Sequence, residues 1–458
     1  MSLVGRYQAD LGLEPIGEIA VTPVSGGVLA STLPVAELAT GSVAALCTAV
    51  DRYRSVVGLE SRAWSISGDR VAASFAGDRL LRVDGRAVPG FAELSGFFRA
   101  ADGWVRTHAN YDHHRRRLLS VLGLPDPSDR DSVAAAVARA PAFELEQRAA
   151  DAGALVVAVR TEADWFGTPA GRFSRTGPLV ASTVRPDGAP SPIDPSTDTR
   201  RPLAGLRVLD FTRVIAGPVA TRDLALLGAS VLRVDSPALP EIVSQHLDTG
   251  AGKFSTLLDV LTEDDDDRLA ALLSSVDVVV CGYRTGSYID DYVRSYRPSG
   301  AVIGTVNAWG SRGPWARRRG FDSLVQAASG IAAVCGGGKA GGRSVDGKAD
   351  TPGALPVQAL DHASGHLLAA GIVDALAARE DGGIGRTVSV SLARTAAWLL
   401  DAGGRVEEPP DPVLPQGDHV VTVGGVSTSR PALSDYTDHP WPARPWGRDE
   451  PRFPTLTQ

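Results

Sequence analysis

Apolar and polar positions alternate most tellingly between residues 202 and 235, PLAGLRVLDFTRVIAGPVATRDLALLGASVLRVD. Leu206 to Phe211 is rich enough in Val and Leu to predict a buried strand. The turn Thr212–Pro218 follows, with Gly217 permissive and Pro218 where a helix can start. Leu224, Leu226 and Leu227 fit a helix packed on a sheet, Gly228 is its stop, and Ser230–Asp235 is a second strand. Strand, tight turn, helix and parallel strand make one βαβ unit, with a ligand crevice at the first strand's carboxyl end. Further strands are predicted at Phe254–Leu261, Asp277–Val280 and Ala301–Val306, and a helix from the acidic run Asp264–Asp267 to Leu273.

The first half has a different rhythm. Residues 1–33 show little periodicity and read as an arm and a loop. Ala36 to Val57 is helical, Ala63–Ser67 a short strand, and Arg79–Val83 another that ends in an Asp84-Gly85 turn. GFFRAADGWVRTHA predicts a hairpin around Asp102-Gly103, followed by helices at His113–Leu122, Arg130–Arg139 and Ala142–Ala152, the strand of AGALVVAVRT, and a turn and helix in TEADWFGTPAG. Pro186–Pro202 reads as a linker, and the Pro- and Gly-rich chain after about 405 as a partly irregular extension wrapping the body.

One segment occurs twice. Residues 36–75 lie on 360–399 without a gap: Gly41 on Gly365 sets an offset of 324, and Gly58, Arg62, Ser65, Ser67 and Arg70 then meet Gly382, Arg386, Ser389, Ser391 and Arg394. A constant offset through helix, stop and strand favours internal duplication over chance similarity of Ala-rich helices. Glu37 falls on Asp361.

Composition narrows the classes. At 458 residues the chain can hold two cores, and a net charge of −7 argues against a polyanionic nucleic-acid partner. The runs Arg115–Arg117 and Arg317–Arg319 lack interleaved aromatics and read as solvated faces. Three cysteines without a C-x-x-C pair suit a reduced cytosol. With no signal-like start and no run of 18 apolar residues, the expectation is a cytoplasmic protein off the membrane. The 212–218 turn lacks G-x-G-x-x-G, which weakens a nicotinamide reading despite Asp235. The glycines of CGGGKAGGR (335–343) precede no Lys-Ser/Thr helix and read as a loop rather than a phosphate cradle. His362 and His366 share a helix face with Asp361, but no third ligand is spaced nearby; His108, His113 and His114 read as surface features.

Residues 202–235 closely resemble the opening of the class III CoA-transferases, the carnitine/formyl-CoA transferase (CaiB/BaiF) family, whose pattern is P-L-x-G-x-x-V-L-D-x-T, then A-G-P, then L-G-A-x-V-x-K-V-E. Arg233 and Asp235 stand for the last Lys and Glu. GSRGPWARRRGFDSLVQAASGI (310–331) resembles the family's G-x-x-G-P-x-x-x-x-x-G-x-D-x-x-x-Q-A-x-S-G through Gly313, Pro314, Gly320, Asp322, Gln326, Ala327, Ser329 and Gly330. Residues 360–372, LDHASGHLLAAGI, resemble its catalytic segment. Residues 96–175 resemble its small domain, with Gly153, Val159, Glu162 and Pro169 at matching places. That domain follows the nucleotide-like one in the family; here it comes first, which implies a rearranged chain.

The resemblance implies an α/β fold: a Rossmann-like parallel-sheet CoA domain and a smaller α+β domain in the family's interlocked homodimer. The parts are an arm (1–33), a partial repeat with the small domain (34–195), the CoA-binding and catalytic domain (196–405) and an extension (406–458). It implies an acyl-CoA metabolic enzyme that moves coenzyme A between an acyl-CoA and a carboxylic acid without a metal. Asp361 is its covalent nucleophile, passing through aspartyl anhydride and thioester states; an N-cap is the plainer alternative. Glu37 is a relic or a cap. The coenzyme contacts carried over are Val214, Ile215, Ala216, Leu258, Gly282, Tyr283 and Arg284, with Tyr283 equally suited to strand-end packing. Cys281 replaces a Glu, Ser236 an Arg, and LDTGAGK (247–253) keeps only Lys253 of a basic run. Two rivals stand beside this reading: a non-catalytic CoA-binding scaffold, and an α-methylacyl-CoA racemase. Phe321 weakens the racemase, since it occupies the place of the imidazole that enzyme needs.

Overall fold

The computed structural model describes residues 1–15, 19–185, 196, 198–296, 300–336, 351–382 and 384–453. Most of the 186–202 linker and of the 335–343 glycine run lies outside them.

The largest sheet has seven strands in the order Phe254–Leu257, Ser230–Asp235, Arg207–Phe211, Val278–Cys281, Val302–Asn307, Arg386–Ser391 and Ala181–Val184. The first six are parallel, and Ala181–Val184 closes the edge antiparallel. Both faces are covered, which explains the continuous apolar run Val278–Cys281. Leu209, Phe211, Leu232, Val234 and Val279 pack with Leu269, Leu272 and Leu273 of the helix Glu263–Leu273. Val208, Val231, Val278 and Val280 face the main core instead. The chain leaves Arg207–Phe211 in one direction and returns beside it at Val278–Cys281, so the loops after these neighbouring strands diverge. A crevice opens there.

The helix Ala359–Gly382 runs through the main core, buried on every side from Ala359 to Ala377. Small residues allow that. A Cβ on Gly365 would lie 2.5 Å from the Ala216 carbonyl oxygen, and one on Gly371 would lie 2.7 Å from Val388. Its other neighbour is the helix Val35–Val56, tied to it by Arg52 Nε and Asp374 Oδ1 at 2.7 Å.

These two helices head the duplicated segments. Val35–Val56 leads to the strand Ser65–Ser67 and the helix Gly68–Phe75; Ala359–Gly382 leads to Arg386–Ser391 and Leu392–Asp401. Ser67 Oγ accepts from the Arg70 amide, and Ser391 Oγ from that of Arg394, so each helix is capped at the same aligned place. Each strand gains a parallel partner, Ala20–Thr22 in one case and Val302–Asn307 in the other.

The arm is more ordered than its sequence suggests. Leu3–Leu11 is a helix, opened by the Ser2 side chain and closed by Gly12 at φ 64°. Gly96–Arg99, Trp104–Thr107 and Val156–Ala158 form a separate three-stranded sheet. Three helices, Asp112–Leu122, Arg130–Val137 and Ala142–Asp151, cover it around a core of its own. The extension adds the hairpin Val420–Val423/Val426–Ser429 to Arg82–Val83 and Arg86–Ala87. Farther on, Trp446 Nε1 donates to Asp235 Oδ2 at 2.9 Å, and the Asp449 amide to the Ser255 carbonyl. Among the described residues no helix is long and apolar enough to cross a membrane.

Candidate active site

The crevice is built on Asp210, which is fully buried. Its Oδ1 accepts from the Thr212 amide and hydroxyl, and its Oδ2 from Thr221 Oγ1 and, at 3.2 Å, from Lys253 Nζ. This pins the loop after the strand. Gly217 lies against Thr212 with no room for a side chain, and Val214 is held at φ 71°, a strained conformation for a β-branched residue. The helix Ala216–Leu226 then begins with no side-chain cap, and its first two residues, Ala216 and Gly217, line the cleft described below.

Asp361 is the third residue of Ala359–Gly382 and is 7% exposed. Its amide donates to Asp322 Oδ2 at 2.9 Å. Gln326 Nε2 donates to Asp322 Oδ1, while Gln326 Oε1 accepts from the Leu355 amide. Burial, and then the Asp322 charge, push the Asp361 carboxyl well above the usual range. Burial also raises Asp322, to about 6, against the donors that surround it. Asp322 therefore orients the backbone under Asp361 while opposing its ionisation.

Asp361 borders two cavities. An outer cleft of about 550 Å³ carries Val214, Ile215, Ala216, Gly282, Tyr283 and Arg284 on its wall. An inner chamber of about 40 Å³ reaches from Asp361 toward His108, Asn110 and Asp248. Four residues border both: Val214, Ile215, Phe321 and Asp361. They form the neck between the two, and Asp361 is part of its wall.

Six of the seven expected coenzyme contacts thus share the cleft with Asp361. Leu258 does not: its side chain is 2% exposed and packs with Leu232 and Leu269, while Asp259, Val260 and Leu261 reach the wall. Lys253 is likewise withdrawn, its ammonium bound to Asp210, Thr221 and the Pro218 carbonyl. Glu37 is exposed at the third position of its own helix, beside a separate cleft with Gln8 and Trp398. His362 stacks on Phe75 at 5.0 Å, and His366 Nδ1 pairs with Asp223 Oδ2 at 2.6 Å, so both imidazoles serve packing.

Two groups of residues read as surface features belong to the site. Arg318 and Arg319 line the cleft, and Arg319 is close enough to Arg117 and Arg284 that, after burial, their charges depress its pKa. Two distant basic runs thus meet at one rim. His113 and His114 also line the cleft, and His108 is buried against Phe321, rings 3.8 Å apart and nearly parallel. Burial holds His108 neutral, with its pKa near 3. Periodicity in the hairpin and the following helix could have paired these histidines, but nothing local indicates that the hairpin end meets Phe321.

Residues 203–405 match the family described as CoA-transferase family III. The chain is 33% identical over 232 residues to the acetyl-coenzyme A transferase nodX of Hypoxylon pulicicidum, covering 49% of this chain and 37% of that protein. It is 32% identical over 223 residues to the probable fatty acyl-CoA transferase Rv3272 of Mycobacterium tuberculosis, covering 45% of this chain and 54% of that one. A crystal structure of Rv3272 aligns with a TM-score of 0.39 at 33% identity, over 44% of this chain and 56% of that chain. The chain spans about half the length, or less, of these relatives. The similarity to CoA-transferase family III thus falls on the segment that carries the parallel sheet and Asp361.

Proposed function

We propose that the protein is an enzyme that transfers coenzyme A between an acyl-CoA and a carboxylic acid, with Asp361 as covalent nucleophile. The observation that carries this reading is the place of Asp361 in the neck between a large cleft and a small chamber. The cleft suits the coenzyme and the chamber the acyl group. Arg284, Arg319 and Arg117 form the cationic rim on which its phosphates would rest, taking over from the withdrawn Lys253.

In this mechanism an ionised Asp361 oxygen attacks the thioester carbonyl and CoA leaves as thiolate, giving a mixed anhydride. The thiolate attacks the aspartyl carbonyl, the first acid leaves as carboxylate, and an enzyme–CoA thioester remains. The acceptor carboxylate runs the same two steps in reverse and restores Asp361. No net proton is taken up. The uncapped amides of Ala216 and Gly217, residues on the cleft wall, would stabilise the oxyanions.

The same reading takes the six parallel strands between 207 and 391 as a Rossmann-like domain within 196–405, and residues 34–195, which lend the sheet its antiparallel edge strand Ala181–Val184, as a partial repeat with the small domain, set in front by rearrangement. The arm 1–33 and the extension 406–458 flank them, in a homodimer of the interlocked kind working in the cytoplasm. Shared caps at Ser67 and Ser391 support the duplication. Incubation with a panel of acyl-CoAs and hydroxylamine, followed by peptide mass spectrometry, tests the chemistry. A hydroxamate at Asp361 is expected; full transfer by Asp361→Ala would refute Asp361 as nucleophile, and coenzyme A binding without any adduct would refute the reading in favour of a scaffold. A second reading is favoured by His108, which places an imidazole beside Phe321 after all. Proton exchange at the acyl α-carbon would then appear as deuterium uptake from heavy water without transfer.

A further inference from the structure

One buried carboxylate gathers the walls of both cavities without lining either. Glu241 is 7% exposed, and its two oxygens accept six hydrogen bonds from five residues. Its Oε1 accepts from the Tyr111 hydroxyl at 2.6 Å, the Ile242 amide at 2.9 Å and Arg213 Nη2 at 3.3 Å. Its Oε2 accepts from Arg233 Nη2 at 2.7 Å, the Val214 amide at 3.4 Å and Arg213 Nε at 3.5 Å. Burial opposes the charge, but the Arg233 and Arg213 guanidiniums hold the carboxyl ionised, with its pKa at about 2.

Four of the five partners are cavity residues. Tyr111, Arg213 and Val214 line the outer cleft, Val214 and Ile242 line the inner chamber, and Arg233 lines neither. Packing the core alone would not require partners on those walls. Tyr111 stands at the start of the helix Asp112–Leu122, in the three-stranded unit, while Arg213 and Val214 follow the sheet strand Arg207–Phe211. One carboxylate therefore ties the two sides of the cleft. Val214 is also a neck residue, and its φ of 71° persists only where the surroundings hold it. Resting on the transferase reading above for the reaction that the neck serves, we infer that Glu241 is a positioning residue: through the Val214 amide, Arg213 and Tyr111 it holds the strained loop, and with it the neck beside Asp361.

Glu241→Gln in the full chain tests this. Glutamine keeps the shape, yet whichever way it lies its NH2 group faces three donors. Hydrogen exchange in the 212–218 loop, read by mass spectrometry, is expected to quicken by about tenfold. The kcat for transfer, measured with the best substrate of the acyl-CoA panel, is expected to fall by about 100-fold. Glycine takes a positive φ without strain, so both factors are expected to shrink in a Val214→Gly background, the second to below about tenfold. Equal factors in the two backgrounds would mean a role in stability alone and would overturn the inference. Unchanged exchange would overturn it too, whatever happens to transfer. Quickened exchange that Val214→Gly suppresses, in a wild type that transfers nothing, would support the clamp and refute the transferase reading. Should Glu241→Gln lose its melting transition, Tyr111→Phe removes a single donor instead; about threefold quicker exchange is then expected, and no change would overturn the inference.

Discussion

The helices Val35–Val56 and Ala359–Gly382 start alike and end in different roles. Each has an acid at its third position and a glycine four residues on, with the two segments in register. Glu37 is exposed, and Gly41 lets the helix approach Leu3; Asp361 is buried, and Gly365 lets its helix approach the carbonyl of Ala216. Both glycines serve close approach. What differs is the neighbour: a terminal helix in one case, and in the other the loop at the crossover of the sheet. The acid's chemistry is thus set by what its helix touches, not by its place on the helix.

The largest contrast is expected between the acids themselves. Asp361→Ala is expected to lower transfer by about 1000-fold or more, since among the described residues no other carboxyl borders both cavities, whereas Glu37→Gln stays within about twofold. Steady-state rates of the two variants decide it, and equal losses would break the comparison.

The glycines come next. A Cβ on Gly365 meets rigid backbone at 2.5 Å, so Gly365→Ala is expected to cost about 3 kcal/mol in urea unfolding and to displace the neck. At Gly41 the Cβ would lie 2.8 Å from a side-chain atom, Leu3 Cβ, of a helix of nine residues. A helix-propensity gain of about 1 kcal/mol then offsets most of the shift.

A smaller effect concerns ionisation. In the proposed mechanism attack needs the carboxylate, and burial together with Asp322 raises the Asp361 pKa, so transfer should fall as pH drops. Asp322→Asn removes the opposing charge and should move the acid limb of the rate profile to lower pH.

The smallest effect is on stability. Burial raises Asp248 from 3.8 to about 6, so the native state holds this proton more tightly than the unfolded chain and stability declines as pH rises from about 4 to about 6. Asp248→Asn should therefore be more stable than wild type at pH 7 by about 2–3 kcal/mol, and equal to it near pH 4. A pH series of melting curves reads this directly.

The sheet, and the segment that brings Asp361 to the edge of the cleft, were legible because their signals are local: the run Val278–Cys281, Gly228 closing a helix, the motif around Asp322. The chamber was not. His108 and Asn110 reach it from the hairpin end, Asp78 from the segment after the first repeat and Asp248 from the degraded basic run, and only tertiary packing joins them. Lys253 misled for the converse reason: a lysine in a basic-run motif suggests phosphate, but Asp210 at the end of another strand claims it. Leu258 fits the right segment in the wrong direction, since side chains at a strand end alternate between core and cleft. In the arm, Ser2 and Gly12 were adequate cap signals around a helix of nine residues.

The extension also bears on how the molecule is made. Phe254–Leu257 is an outer strand of the large sheet, and residues near its end hold it: Ser255 is bonded through its amide to Asp449 Oδ2, through its carbonyl to the Asp449 amide and through its hydroxyl to the Gly447 amide. An unprotected sheet edge is a template for pairing with other chains. A nascent chain that has emerged through 400 would have the whole sheet yet carry an open edge until residues 447–449 leave the ribosome. Premature termination in that interval would yield a self-associating product rather than a merely shorter chain.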